Sequence, residues 1–155
     1  MNTEEMILNI KAEYFKKVLK ERGSLKVKVN GNSMWPFLKN GDIAIVKYVD
    51  FKEVHPGDIV FTYVGSNILC HRVFDKRGDS IVTKADTFIG FDPPVRKDDL
   101  IGKVTAKEKK GKVYRLNKLF SYRIGFLISR ISLALSFCYL PLRFIKRLIS
   151  ASFAK

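Results

Sequence analysis

No acidic residue follows Glu108, although the chain runs to Lys155. Residues 109–155 carry 11 Lys+Arg, whereas residues 1–108 hold 18 Lys+Arg against all 15 Asp+Glu. The formal net charge of +14 is therefore concentrated near the C-terminus. A nucleic-acid binder would interleave its basic residues with polar ones. Here the basic stretch is rich in Leu, Ile and Phe, which favours an anionic membrane surface and argues against a nucleic-acid partner. Cysteine is scarce as well. Cys70 and Cys138 are far apart and form no C-x-x-C pair, so neither a disulfide framework nor a zinc site is expected. No metal or other cofactor is expected either. The opening M-N-T-E-E-M-I-L-N-I-K-A-E is acidic early and lacks a long apolar core, so it does not read as a signal peptide. Internal repeats and low-complexity linkers are also missing. The length fits one domain with a proper core and is too short for two ordinary ones.

What is present is a change of period along the chain. Residues 3–22 read as a helix, with Thr3 able to cap, Glu4 and Glu5 in the first turn, and Gly23 ending it. Its apolar side is Ile7, Leu8, Ile10, Tyr14, Phe15, Val18 and Leu19, suited to packing on the domain or on a partner. Leu25, Val27 and Val29 then alternate with Lys26 and Lys28, as in a half-buried strand. Further strands are expected at I-A-I-V-K-Y (43–48), I-V-F-T-Y-V (59–64), I-L-C-H-R-V-F (68–74), S-I-V-T-K-A-D (80–86), L-I-G-K-V-T-A-K (100–107) and K-V-Y-R-L (112–116). Between them lie Asn40-Gly41-Asp42, His55-Pro56-Gly57-Asp58, Gly65-Ser66-Asn67 and Arg77-Gly78-Asp79, all turn chemistry. Asp42 and Asp58 are expected to shape their turns through side-chain-to-backbone bonds. The fold class is mainly β, a barrel or sandwich-like core with an N-terminal helix, and not a βαβ fold.

From about Lys118 the period becomes helical. Phe120, Ile124, Leu127, Ile131, Leu135 and Cys138 share one face of a helical wheel; Ser121, Gly125, Ser129, Ser132 and Ser136 lie opposite. Pro141 breaks the pattern, and L-R-F-I-K-R-L-I-S-A-S-F begins a second basic amphipathic helix. A single span over 124–142 is the competing reading, but Arg130 near its centre would cost roughly 2.5–3.5 kcal/mol. Packing on the core or on a partner is a third. The domain plan is thus an N-terminal helix (1–23), a β domain (24–117) and a membrane-associating basic tail (118–155), peripheral on the cytoplasmic face.

Four polar positions on the β core invite chemistry. Ser33 lies in G-N-S-M-W-P, His71 in the strand I-L-C-H-R-V-F, Asp86 just after I-V-T-K, and Asp92 in F-I-G-F-D-P-P. A serine hydroxyl must lose its proton as it attacks a carbonyl, and an imidazole takes that proton at neutral pH. A carboxylate then fixes the imidazole tautomer and stabilises the imidazolium. The sequence leaves open which aspartate does so. Cys70 faces the opposite side of its strand from His71 and reads as packed rather than nucleophilic, and His55, beside Pro56, reads as a loop residue.

The ordered set S-M-W-P (33–36), G-D (41–42), P-G-D-I-V (56–60), H-R-V (71–73) and T-K-A-D (83–86) resembles the motifs of signal peptidase I, in order and spacing, from about Lys26 to Lys107. Bacterial members usually carry lysine where this chain has His71; the endoplasmic-reticulum and archaeal branch carries histidine, and this chain resembles that branch. LexA-type repressors share the Ser-Met and Gly-Asp features, also with lysine. The resemblance implies a signal-peptidase/LexA-like coiled β-sheet core, with Ser33 as nucleophile and His71 as general base. Asp86 matches the aspartate of the family's Lys-Gly-Asp box, and Asp92 a second acidic position. Gly31, Met34, Trp35 and Pro36 are the candidate substrate-side residues: Gly31 lets the backbone come close to a substrate, Pro36 stiffens the corner, and Met34 and Trp35 suit either the core or the wall of a substrate pocket. Three departures stand out. Ala85 and Thr87 replace the usual glycine and asparagine around Asp86. Gly31 stands where some bacterial members place a serine that holds the oxyanion, leaving backbone N–H groups, chiefly that of Ser33, to do so. The family's usual N-terminal membrane anchor is not seen before the match, and the basic tail is expected to replace it.

The expectation is a serine endopeptidase that cleaves leader or signal segments of peptides or preproteins at a membrane surface. Its rivals are an inactive peptide-binding scaffold of the same fold and a LexA-like regulator. Residues 1–23 are short for a helix-turn-helix domain, which weighs against the regulator. The oligomeric state is left open.

Overall fold

The structure is a computed structural model and describes residues 3–116 and Leu127. The expected helix is α1, Thr3–Arg22. Eight strands follow in those residues: β1 Ser24–Lys28, β2 Ile43–Lys47, β3 Ile59–Val64, β4 Asn67–Arg77, β5 Ser80–Lys84, β6 Val95–Arg96, β7 Leu100–Lys109 and β8 Lys112–Arg115. They form one antiparallel sheet in the order β1-β2-β7-β3-β4-β5-β6, with β8 added to β7. Short 3-10 turns at Phe51–Glu53 and Lys97–Asp99 were not expected, nor was the two-residue β6. All three are too short to show a period. The tail helices expected over 118–155 lie, Leu127 apart, outside the described residues. Among the described residues no helix is long and apolar enough to cross a membrane.

Alternation along the strands sorts the apolar side chains into two cores. Ile59 and Phe61 enter one together with Ala44, Val46, Ile101, Val104 and, from the Ser33 turn, Met34 and Leu38. Val60, between them, enters the other with Val73, Ile81, Val95 and Leu100. The period of two in a strand makes this division unavoidable once one face is covered. The first face is covered by α1 through Ala12 and Leu19, with Phe15 packed against them. Gly102 of β7 makes that approach possible. A Cβ there would sit 2.8 Å from the Lys47 carbonyl and 2.9 Å from Leu19 Cδ1.

The helix differs from its expected pattern in one respect. Leu19 is fully buried, but Ile7, Ile10 and Tyr14 are exposed, together with Met6. The apolar residues of α1 therefore divide between a sheet-facing side and an outer side. Register shifts interrupt β2/β7 between Ile45 and Val46, β3/β7 between Phe61 and Thr62, and β4/β5 between Val73 and Asp75. Such irregularities bend a strand and raise its twist, which fits a sheet that coils.

Candidate active site

The strand β1 leads directly into the Ser33 turn, and the turn is held by its own backbone and amides. Val29 N–H donates to Asp42 O (2.8 Å) and Gly41 N–H to Val29 O (2.9 Å), closing the base. Across it, Gly31 N–H donates to Asn40 Oδ1 (3.0 Å) and Asn40 N–H to Asn32 Oδ1 (3.1 Å). Asp42 Oδ2 accepts from Lys39 N–H at 3.0 Å, and Asp58 Oδ2 from His55 N–H at 2.9 Å, so both aspartates shape their turns as expected. Met34 is buried in the first core beneath the turn, while Trp35 and Pro36 are exposed on it. Gly31 has a φ of +89°, which L side chains rarely adopt, and a Cβ on it would meet nothing within 4 Å. The glycine thus serves the backbone conformation, with open space where its side chain would be.

His71 and Arg72 are consecutive on β4 and so point to opposite faces of the sheet. Each takes one of the two aspartates. His71 Nδ1 lies 2.7 Å from Asp92 Oδ2, and the same oxygen accepts from Thr83 Oγ1 at 2.6 Å. Thr83 pairs with Val73, two residues along β4 on the face of His71. Asp92 is also fixed through its backbone, whose N–H donates to Thr83 O at 2.9 Å. On the other face, Arg72 forks onto Asp86 with Nε–Oδ1 at 2.8 Å and Nη2–Oδ2 at 2.7 Å. Its remaining nitrogen donates to Gly57 O at 2.7 Å, and the guanidinium stacks 4.6 Å from the centre of the Phe37 ring. Both partners of the Arg72–Asp86 pair are buried.

This geometry assigns different work to the two carboxylates. Asp92 touches His71; Asp86 is occupied by Arg72. Burial alone would raise the pKa of Asp92, but the hydrogen bonds from His71 and Thr83, with the imidazolium charge, outweigh it and hold the carboxyl below its ordinary value. Asp92 is therefore an acceptor at neutral pH, so Nδ1 of a neutral His71 carries the proton and Nε2 presents its lone pair. Burial and the nearby Asp86 push the Cys70 thiol up to about 12, against a smaller opposing effect of Arg72. A thiol so protonated is a poor nucleophile, in keeping with its packing against the first core. Lys84, paired across the strands with Arg72, is buried too; desolvation lowers its pKa, and Asp86 partly restores it.

The segment after β5 connects the turn to the histidine. Thr87 N–H donates to Ser33 O at 3.1 Å, and Thr87 Oγ1 to the same oxygen at 3.2 Å. Five residues later Asp92 meets His71. Between them Phe88, Ile89 and Phe91 are exposed, with Phe91 stacked edge-on at 4.7 Å against Phe74, the residue at the irregularity of β4. Sequence reasoning had not singled out Arg72, Thr83 or the contacts of Thr87. The alternation of I-L-C-H-R-V-F carried the signal for Arg72, because a guanidinium on the core face of a strand needs an anion. Among the described residues no cluster of His, Cys, Asp and Glu is arranged to hold a metal.

The structure thus presents an antiparallel sheet entered through a Gly-flanked serine turn, with an Asp-paired histidine on strand β4. The Peptidase S24-like family model matches residues 3–86, more than half of the chain, and the chain belongs to that family. The family takes in LexA-type and signal-peptidase-like folds and is of the serine peptidase-type hydrolases. The matched region contains Ser33, His71 and Asp86 and ends before Asp92. No curated protein matches the chain.

Proposed function

We propose that the protein is a serine endopeptidase of the signal-peptidase type, using Ser33 as nucleophile, His71 as general base and Asp92 as the carboxylate that orients His71. The observation that carries this reading is the 2.7 Å contact of His71 Nδ1 with Asp92, which leaves Nε2 as the proton acceptor. Ser33 Oγ attacks the scissile carbonyl carbon while its proton passes to His71 Nε2. The tetrahedral intermediate collapses by breaking the C–N bond, and the leaving amine takes that proton. Water, deprotonated by the same imidazole, then hydrolyses the acyl-enzyme and frees Ser33. The developing oxyanion is met by backbone N–H groups, chiefly that of Ser33. A substrate in extended form adds as a strand beside the sheet, next to the turn that carries Gly31, Trp35 and Pro36. The basic tail holds the enzyme on an anionic membrane surface, peripherally and on the cytoplasmic face, so that leader or signal segments reach it there. Asp86 supports the site through Arg72 rather than by touching the reacting atoms.

Incubating the full chain with candidate leader peptides and reading the products by mass spectrometry tests this. Cleavage at a single bond, lost in Ser33→Ala and in His71→Ala, is the expected result. Tight binding of the peptides without any cut would instead support the inactive scaffold of the same fold.

A further inference from the structure

We infer that Thr87 is a positioning residue that sets Ser33 against His71, with the Thr87–Asp92 loop as the spacer between them. Ser33 and His71 stand on different elements: one on a turn after β1, the other in β4. The described hydrogen bonds converge on one short segment. At its first residue, both donors of Thr87 reach the Ser33 carbonyl, at 3.1 and 3.2 Å. At its last residue, Asp92 holds His71 at 2.7 Å and is itself held by Thr83.

Two donors on one carbonyl oxygen fix the peptide plane that follows Ser33. That plane sets ψ of Ser33, and with it the direction in which the side chain leaves the turn. The inner end of the segment is rigid for a separate reason: Ala85 and Asp86 are buried and Asp86 is forked by Arg72. The outer end is braced by Phe91 on Phe74. Thr87 is exposed, so its hydroxyl contributes little to folding and its bond to Ser33 serves geometry. Displacing a reacting group by about 1 Å costs up to ~100-fold in rate. Losing one of two donors should move Ser33 by less than that.

The inference rests on the Ser33–His71 reading for its kinetic consequence, but not for its structural one. Thr87→Val keeps the shape and the backbone donor and removes the hydroxyl; Thr87→Ser restores the hydroxyl. In leader-peptide cleavage, Thr87→Val should lower kcat roughly tenfold with KM nearly unchanged, and Thr87→Ser should recover most of it. Hydrogen exchange followed by mass spectrometry should show faster exchange in residues 33–38 of Thr87→Val, with Thr87→Ser close to wild type. Unchanged exchange in Thr87→Val overturns the inference whatever the activity. A lower kcat that Thr87→Ser fails to recover overturns it as well. If wild-type protein cleaves nothing while the exchange result holds, the endopeptidase reading fails and the role of Thr87 in fixing the turn stands.

Discussion

His71 and Arg72 show how two neighbours on a strand come to need different partners. A period of two sends one side chain to each face, so one aspartate cannot serve both. The pair Arg72–Asp86 is buried and fully engaged, and removing one partner of such a pair costs about 3–5 kcal/mol. Asp86→Ala is therefore expected to lower unfolding stability by about that amount in urea titrations, because it leaves the buried Arg72 guanidinium without its carboxylate. Asp92→Asn should behave in the opposite way. It keeps the shape and the fold, but turns an acceptor into a donor toward Nδ1 and favours the wrong tautomer, with kcat expected to fall about 10²–10⁴-fold. The pH dependence of stability has a definite sign. The folded pKa of Asp92 lies below its unfolded value, so its contribution is present above the unfolded pKa and is lost as pH falls through the folded one. The stability gap between wild type and Asp92→Asn should accordingly shrink on acidification, as followed by urea unfolding at neutral and acid pH.

At the scale of elements, the fold depends on how closely α1 approaches the sheet. Leu19 is fully buried, and Gly102 leaves room for it against β2 and β7. Leu19→Ala should cost about 2–5 kcal/mol, read by thermal or urea unfolding. Gly102→Ala should also destabilise, since the added methyl meets the Lys47 carbonyl at 2.8 Å and backbone yields less readily than a side chain. The strands were legible because Leu25 and Val27 alternate with Lys26 and Lys28, and because runs such as Ile59–Val64 are short, β-branched or aromatic, and bounded by turn residues. Val95–Arg96 and the two 3-10 turns were not, since two or three residues display no period at all. Ser33, His71 and both aspartates stood out as candidates from residue chemistry and motif order. The division of labour between Asp86 and Asp92 was not. It depends on which face each side chain reaches after a strand irregularity at Phe74 and a loop that doubles back, and neither is written in local spacing.

For the whole molecule, charge and site divide between two parts of the chain. The described β core carries the candidate site, and the acid-free stretch from 109 onward carries most of the net charge. Each Lys or Arg near an anionic bilayer is worth about 1 kcal/mol, and the apolar face expected of a helical tail would add to this. In the full chain, replacing Leu127, Ile131 and Leu135 by glutamate should abolish co-flotation with anionic vesicles and leave cleavage of a soluble leader peptide unchanged. Retained flotation, or loss of cleavage along with it, would contradict the separation of the two parts. Preference for DNA over vesicles would reassign the tail.

The central claim is that Ser33 is a nucleophile activated by His71, and the most direct measurement is the rate at which a fluorophosphonate probe modifies the full-length protein, with the adduct located by peptide mass spectrometry. The account predicts one adduct, on Ser33, absent from Ser33→Ala and slowed at least tenfold in His71→Ala (roughly 1.4 kcal/mol or more). An adduct that persists in Ser33→Ala, or labelling of His71→Ala at the wild-type rate, would contradict it.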